Sequence, residues 1–182
     1  MDLYTIFKFL HVITAIAWVG GGLTLLAAHM IALKVEGEPA AFKVLDVMNL
    51  LGKAWFVPTS FLTVIFGAIT ATFGGMGGDL WVILGLAGFA STFFTGLLII
   101  EPTGRRIGAA MAEGRVDEAQ AAGKKLMQVV RFDYTVMLVV IIDMVFKPNW
   151  TDFVTIAIMG AIVAAGAVAF LGNGFGRQPA AT

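Results

Sequence analysis

The sequence predicts an all-α polytopic membrane helix bundle of five transmembrane helices, N-terminus outside and C-terminus inside. Three observations carry that prediction. Of 182 residues, 59% are hydrophobic and 13% charged, and the mean hydropathy is +0.90. A soluble domain carries about 25% charged residues, so the bilayer is the solvent that suits this chain. Five segments also meet the requirement of about 20 mainly apolar residues for a spanning helix. Finally, lysine and arginine collect in alternate connections.

The first span runs over about 4–33. Its apolar stretch is about twice the 7–15 residues of a signal-peptide core, which makes it a mature membrane helix. The second span, about 54–73, follows an amphipathic extension at about 40–53 and carries Pro58 as an expected kink. Its end is the turn GGMGGD, Gly74 to Asp79. The third span covers about 80–100 and stops at Glu101-Pro102, with helix resuming beyond. A second amphipathic extension, about 103–127, leads into the fourth span at about 128–146, which Lys147-Pro148 ends. The fifth covers about 151–171, and the glycine-rich tail after it reads as a loose end. Lipid cannot satisfy a free backbone amide, so every span is expected to be helical. The whole chain reads as one transmembrane domain.

Lys34, Lys43 and Lys53 lie between spans one and two, and Arg105, Arg106, Arg115, Lys124 and Lys125 between spans three and four. The other two connections hold only Lys147. The positive-inside rule places the basic connections in the cytoplasm, and Arg177 of the tail with them. Trp81 and Trp150 then fall at the outer interface and Trp55 at the inner one.

Ionisable residues at membrane depth are costly and mark candidate sites. Lys8 and His11 on span one, with Asp143 and Lys147 on span four, form an outer polar cluster. If the two spans touch, Asp143 accepts a hydrogen bond from His11 or pairs with Lys8; the alternative is a structural clasp with snorkelling lysines. His29, Lys34, Glu101, Arg105, Arg131 and Asp133 form an inner cluster, in which Arg131 and Glu101 can tie spans three and four together. His11, Ala15, Trp18, Gly22 and His29 share one helical face.

The two histidines are separated by about 27 Å along a helix, too far to ligate one haem. A haem on His11 needs Met144, a lysine, a second copy of the chain or an open position opposite. Gly20 to Gly22 leave room for a flat macrocycle or a neighbouring helix. No cysteine is present and no methionine or histidine cluster suits a soft metal, so no metal site is assigned. A formal charge of zero argues against a nucleic-acid partner. Gly88, Thr92 and Gly96, and again Ala161, Ala165 and Ala169, repeat every four residues. Such faces serve either packing within one bundle or docking of another subunit.

LHVITAIAWVGG, with His11, Trp18, Gly20 and Gly21, resembles the first helix of a group of small bacterial membrane proteins. The group includes copper-resistance protein D domains, HemJ-type protoporphyrinogen oxidases and an uncharacterised integral-membrane family. The stretch ending Asp143-Met144 and Lys147-Pro148 resembles the fourth span of the uncharacterised family. The resemblance implies a bacterial inner-membrane location and, through its HemJ-type members, haem b on His11. The leading expectation is a non-catalytic accessory or interaction subunit of a larger membrane complex. It would contact lipid and bind other membrane subunits or itself through the small-residue faces. The alternatives are a haem b-binding redox protein and a metal-ion or small-solute carrier that uses the outer cluster as its entry site.

Overall fold

A computed structural model describes residues 2–172; the glycine-rich tail with Arg177 lies outside them. The described chain is helical throughout apart from short turns. Five helices follow in order: α1 Leu3–Val35, α2 Glu38–Phe73, α3 Leu80–Ala112, α4 Val116–Phe146 and α5 Phe153–Phe170. Asp2 caps α1 by accepting the Thr5 amide at 2.7 Å, which holds its carboxyl below the usual range. Gly37 (φ 82°) and Gly114 (φ 76°) adopt the left-handed conformation that lets the chain turn sharply after α1 and α3.

Each amphipathic extension is continuous with its span. A helix of 33 residues is about 50 Å long, well beyond the roughly 30 Å of bilayer hydrocarbon. Neither internal proline breaks its helix. Instead, a π-helical turn precedes each one, Gly52–Phe56 before Pro58 and Gly96–Ile100 before Pro102. Proline has no amide hydrogen, so the normal ladder lapses there. The residue just ahead of it reaches one carbonyl further back: Val57 N–H donates to Gly52, and Glu101 N–H to Gly96. A third π turn, Ile16–Gly20, precedes the glycines of α1.

Helices α1 to α4 form an up-down-up-down bundle, and α5 packs against α4 on the outside. Two solvents shape its two ends. Around the basic extensions, Leu45, Ile107, Ala110, Ala119, Leu126, Met127 and Val130 form a buried apolar core. Water can drive that burial. Along the apolar halves, lipid is as oily as the side chains, and close fit takes over. There, glycine on one helix receives a side chain from another: Tyr134 on Gly22, Val140 on Gly88, Met144 on Gly85 and Thr135 on Gly166. Aromatic rings add contacts between helices. Trp18 meets Phe89 edge-on at 5.6 Å, and Phe61 meets Phe93 at 5.2 Å.

Four helices, α1, α2, α3 and α5, are long and apolar enough to cross a membrane. Helix α4 carries Arg131, Asp133 and Asp143 in its apolar half, and it packs along α3 and holds α5 on its other side.

The fit of Tyr134 over Gly22 gives a test. A methyl group at Gly22 would overlap the tyrosine hydroxyl and lie 2.6 Å from Cζ. Gly22→Ala is expected to lower stability in detergent by about 1–3 kcal/mol, the usual effect of overpacking. The loss should shrink in a Tyr134→Ala background, as contacting sites are non-additive. Additive losses in a denaturation series would mean that the two residues do not meet.

Candidate functional site

Both histidines of α1 turn toward α2. The Nδ1 of His11 lies 2.7 Å from the Thr63 carbonyl oxygen, and the Nδ1 of His29 lies 3.2 Å from that of Ala41. A carbonyl only accepts, so each Nδ1 carries the hydrogen and donates. Gly67, one turn beyond Thr63, has no side chain, and the His11 ring fills the space a Cβ would occupy. Between the two histidines, Trp55 of α2 donates its indole N–H to Ala17 of α1 at 3.1 Å and rests on Gly21.

The expected outer cluster is not drawn together by hydrogen bonds. Asp143 is 1% exposed, and neither carboxylate oxygen has a hydrogen-bond partner among the described residues. It lies beside Gly85 of α3 and receives nothing from His11 or Lys8. His11 is already engaged with α2, which removes it as a donor to α4. Lys8 points over the Tyr4 ring (5.6 Å) and Lys147 over Trp81 (4.9 Å). Both cations sit on aromatic faces, a contact that does not neutralise a carboxylate.

The inner residues also pair differently from expectation. Glu101 takes Lys53 of α2 at 3.2 Å and Arg105 at 3.6 Å, so it ties α3 to α2 and leaves Arg131 aside. Lys124 of α4 reaches Glu38 of α2 at 3.0 Å. Arg115, outside the bundle, is held by Glu113 and Glu118, which raise its pKa. His29 is buried. It shares with Arg131, Glu38, Gln120, Lys124 and Gln128 the wall of a cavity of about 250 Å³ between α1, α2 and α4. A second cavity, about 380 Å³, lies between α1, α4 and the end of α5. Arg131 borders both. Asp133 is buried on the same helix and forms no ion pair among the described residues.

The residues proposed for a haem do not assemble a two-ligand site. His11 packs on Gly67 of α2, whereas Met144 packs on Gly85 of α3. Among the described residues, no three of His, Asp and Glu converge on a metal-sized site. Of the glycine triplet on α1, Gly21 and Gly22 are occupied by Trp55 and Tyr134, and Gly20 is open. Sequence reasoning missed Tyr134, Gly67, Gly85 and the acceptor carbonyls of Thr63 and Ala41. Mid-span Gly67 and Gly85 were the available signal, because helix-interior glycine is unfavourable unless something packs against it.

The chain matches no family model, no curated protein and no solved structure. Its site is therefore defined by its own geometry. That geometry comprises a hydrogen-bonded α1–α2 hairpin and one helix, α4, that carries an isolated buried carboxylate and a shared arginine.

Asp143 does not help to hold the fold, because nothing in the described chain bonds it. Removing a buried unpaired charge relieves a desolvation penalty. Asp143→Asn is therefore expected to unfold no earlier than the parent, whereas breaking a real hydrogen bond to the carboxylate would cost about 1–3 kcal/mol. A loss of that size in thermal or denaturant unfolding would show that the carboxylate is paired.

Proposed function

We propose that this chain is an integral inner-membrane protein of five spans that serves as a non-catalytic accessory or interaction subunit of a larger membrane complex. One observation carries this reading. Helix α5 rests on α4 through Met159 and Gly166, while Ala161, Ala165 and Ala169 are exposed on the outside of the bundle. Among the described residues nothing covers this small-residue face, and such faces allow close approach of another helix in lipid. The corresponding face of α3 is different: Gly88 packs against α4 and Thr92 is buried, and only Gly96 of that face is open. The division supports one internal face and one external one.

The fifth span in this reading is α4. Its charges are sheltered by neighbouring helices, as membrane bundles require. The basic residues at the α1–α2 and α3–α4 turns support a cytoplasmic placement of that end. An N-terminus outside and a C-terminus inside then follow. The resemblance of the first helix to small bacterial membrane proteins supports the inner membrane as the location.

Two experiments test the proposal. The chain has no native cysteine, so single cysteines report topology. Gly77→Cys and Thr151→Cys are expected to react with an impermeant thiol reagent on intact spheroplasts, and Gly114→Cys only after permeabilisation. Labelling of Gly114→Cys alone would invert the orientation, and opposite behaviour of positions 77 and 151 would remove α4 as a span.

For the partner, native membranes solubilised in mild detergent should yield a particle larger than the 19.3 kDa chain. Ala161→Leu with Ala165→Leu should release the chain as a folded monomer. A parent protein that is monomeric without other chains would end the subunit reading.

A further inference from the structure

The two cavities share Arg131, and their linings differ in kind. The first, at the basic end, presents Arg131, His29, Gln120 and Gln128, with Lys124 held at its wall by Glu38. The second is a groove of mainly apolar side chains. Val19, Leu23 and Leu26 of α1 face Leu138 and Ile141 of α4, and Phe170 of α5 closes one side. One residue thus borders both a chamber whose largely apolar wall carries several polar side chains and a groove that is nearly all apolar.

Arg131 is not satisfied by the protein around it. Its Nε is buried and has no acceptor among the described residues. The carboxylates that might have paired with it are committed elsewhere: Glu101 to Lys53 and Arg105, and Glu38 to Lys124. No carboxylate lies within ion-pair distance of its guanidinium among the described residues. A guanidinium is a rigid fork of donors that matches a phosphate or carboxylate. The imidazole of His29 gives its Nδ1 hydrogen to Ala41, so its second ring nitrogen carries a lone pair that can accept from a headgroup hydroxyl, while the phosphate itself is left to Arg131.

We infer that Arg131 anchors an anionic phospholipid, with its phosphate in the chamber beside His29 and an acyl chain along the Val19–Leu23–Leu138–Phe170 groove. A small anion would use only the chamber, and a neutral lipid only the groove. The shared arginine joins a polar head to an apolar tail, which is the chemistry of an amphiphile. Basic pockets between helices on the cytoplasmic side suit anionic headgroups. The inference rests on the membrane-spanning reading with the basic end inward. Alkaline extraction of membranes checks that reading separately, since a peripheral protein is released and a spanning one is retained.

The experiment is native mass spectrometry of delipidated full-length protein in mild detergent, titrated with phosphatidylglycerol, phosphatidylcholine or inorganic phosphate. Phosphatidylglycerol is expected to bind at concentrations at least tenfold lower than phosphatidylcholine. Arg131→Gln should abolish that preference. Leu23→Trp, a substitution on the lipid-exposed groove wall, should weaken phosphatidylglycerol while leaving the helical circular-dichroism signal unchanged. It keeps the test decisive if Arg131→Gln does not fold. Equal binding of the two lipids by the parent would overturn the proposal. So would undiminished phosphatidylglycerol binding in Leu23→Trp. Displacement of the lipid by inorganic phosphate at similar concentration would assign the chamber to a free anion and overturn the amphiphile.

Discussion

Three ring N–H groups donating to backbone carbonyls hold the first hairpin, and the rest of the bundle is built on it. His11 donates to Thr63, Trp55 to Ala17 and His29 to Ala41, at successive levels along α1 and α2. Each acceptor already belongs to a helix and has a second lone pair to offer. A ring N–H bonded to a carbonyl of the neighbouring helix satisfies the polar group locally, where apolar side chains offer it no other partner. Such bonds average below about 2 kcal/mol each in membrane proteins. Their value here lies in register: they fix which residue of α1 stands opposite which residue of α2. That register points Trp18 at Phe89 and sets Gly22 under Tyr134, which in turn positions α3 and α4.

The hairpin passes through two environments, and the packing changes with them. At the basic end, water makes burial of Leu45, Ile107 and Leu126 favourable, and the helices enclose a compact core. In the apolar halves, no such force acts between helices, and shape takes over. Glycines accept Val140, Met144 and Thr135 at close range because contact area is the main attraction left. Long helices that run through both regimes couple them. Ion pairs between helices at the basic end, Lys53 with Glu101 and Lys124 with Glu38, then add orientation more than stability, since their lysines are exposed.

The helices themselves were legible in the sequence, because apolar length, the turn at Gly74 to Asp79 and the stop at Lys147-Pro148 leave few alternatives. The prolines were readable only in part. Pro58 suggested a kink and Pro102 an ending, whereas the helices absorb both with a π turn one residue earlier. Side-chain partners were the illegible layer. Lys8, His11, Asp143 and Lys147 look like a cluster by depth alone, but depth does not give azimuth. His11 turns to α2 because Gly67 leaves a space for it there, and that choice depends on which helices are neighbours. Glu101 goes to Lys53 for the same reason. The small-residue face on α5 was written in the spacing of its alanines; which of the two such faces stays outside is decided only by the assembled bundle.

Helix α4 concentrates the chemistry of the molecule. It is the least apolar of the five, yet it carries nine of the buried residues, Asp133 and Asp143 among them. A helix with these charges needs neighbours to shield it from an apolar surrounding, and α3 and α5 pack along it while Tyr134 meets Gly22 of α1. The apolar α3 and α5 therefore form a partial sleeve on a polar helix. This explains why the chain invests in precise glycine contacts along α4, where Gly85 leaves room for the Asp143 carboxylate and the Met144 thioether. A sleeve of that kind preserves charged groups that the fold does not pair. Arg131 and Asp143 stand about 18 Å apart along the helix, one beside two cavities and one sealed inside the bundle. Natural sequences retain unpaired buried charge where a ligand or a function needs it more than stability does. Arg131 has a chamber and a groove that give it a ligand to meet. For Asp143, the sealed position means that access requires α3 and α4 to part at Gly85.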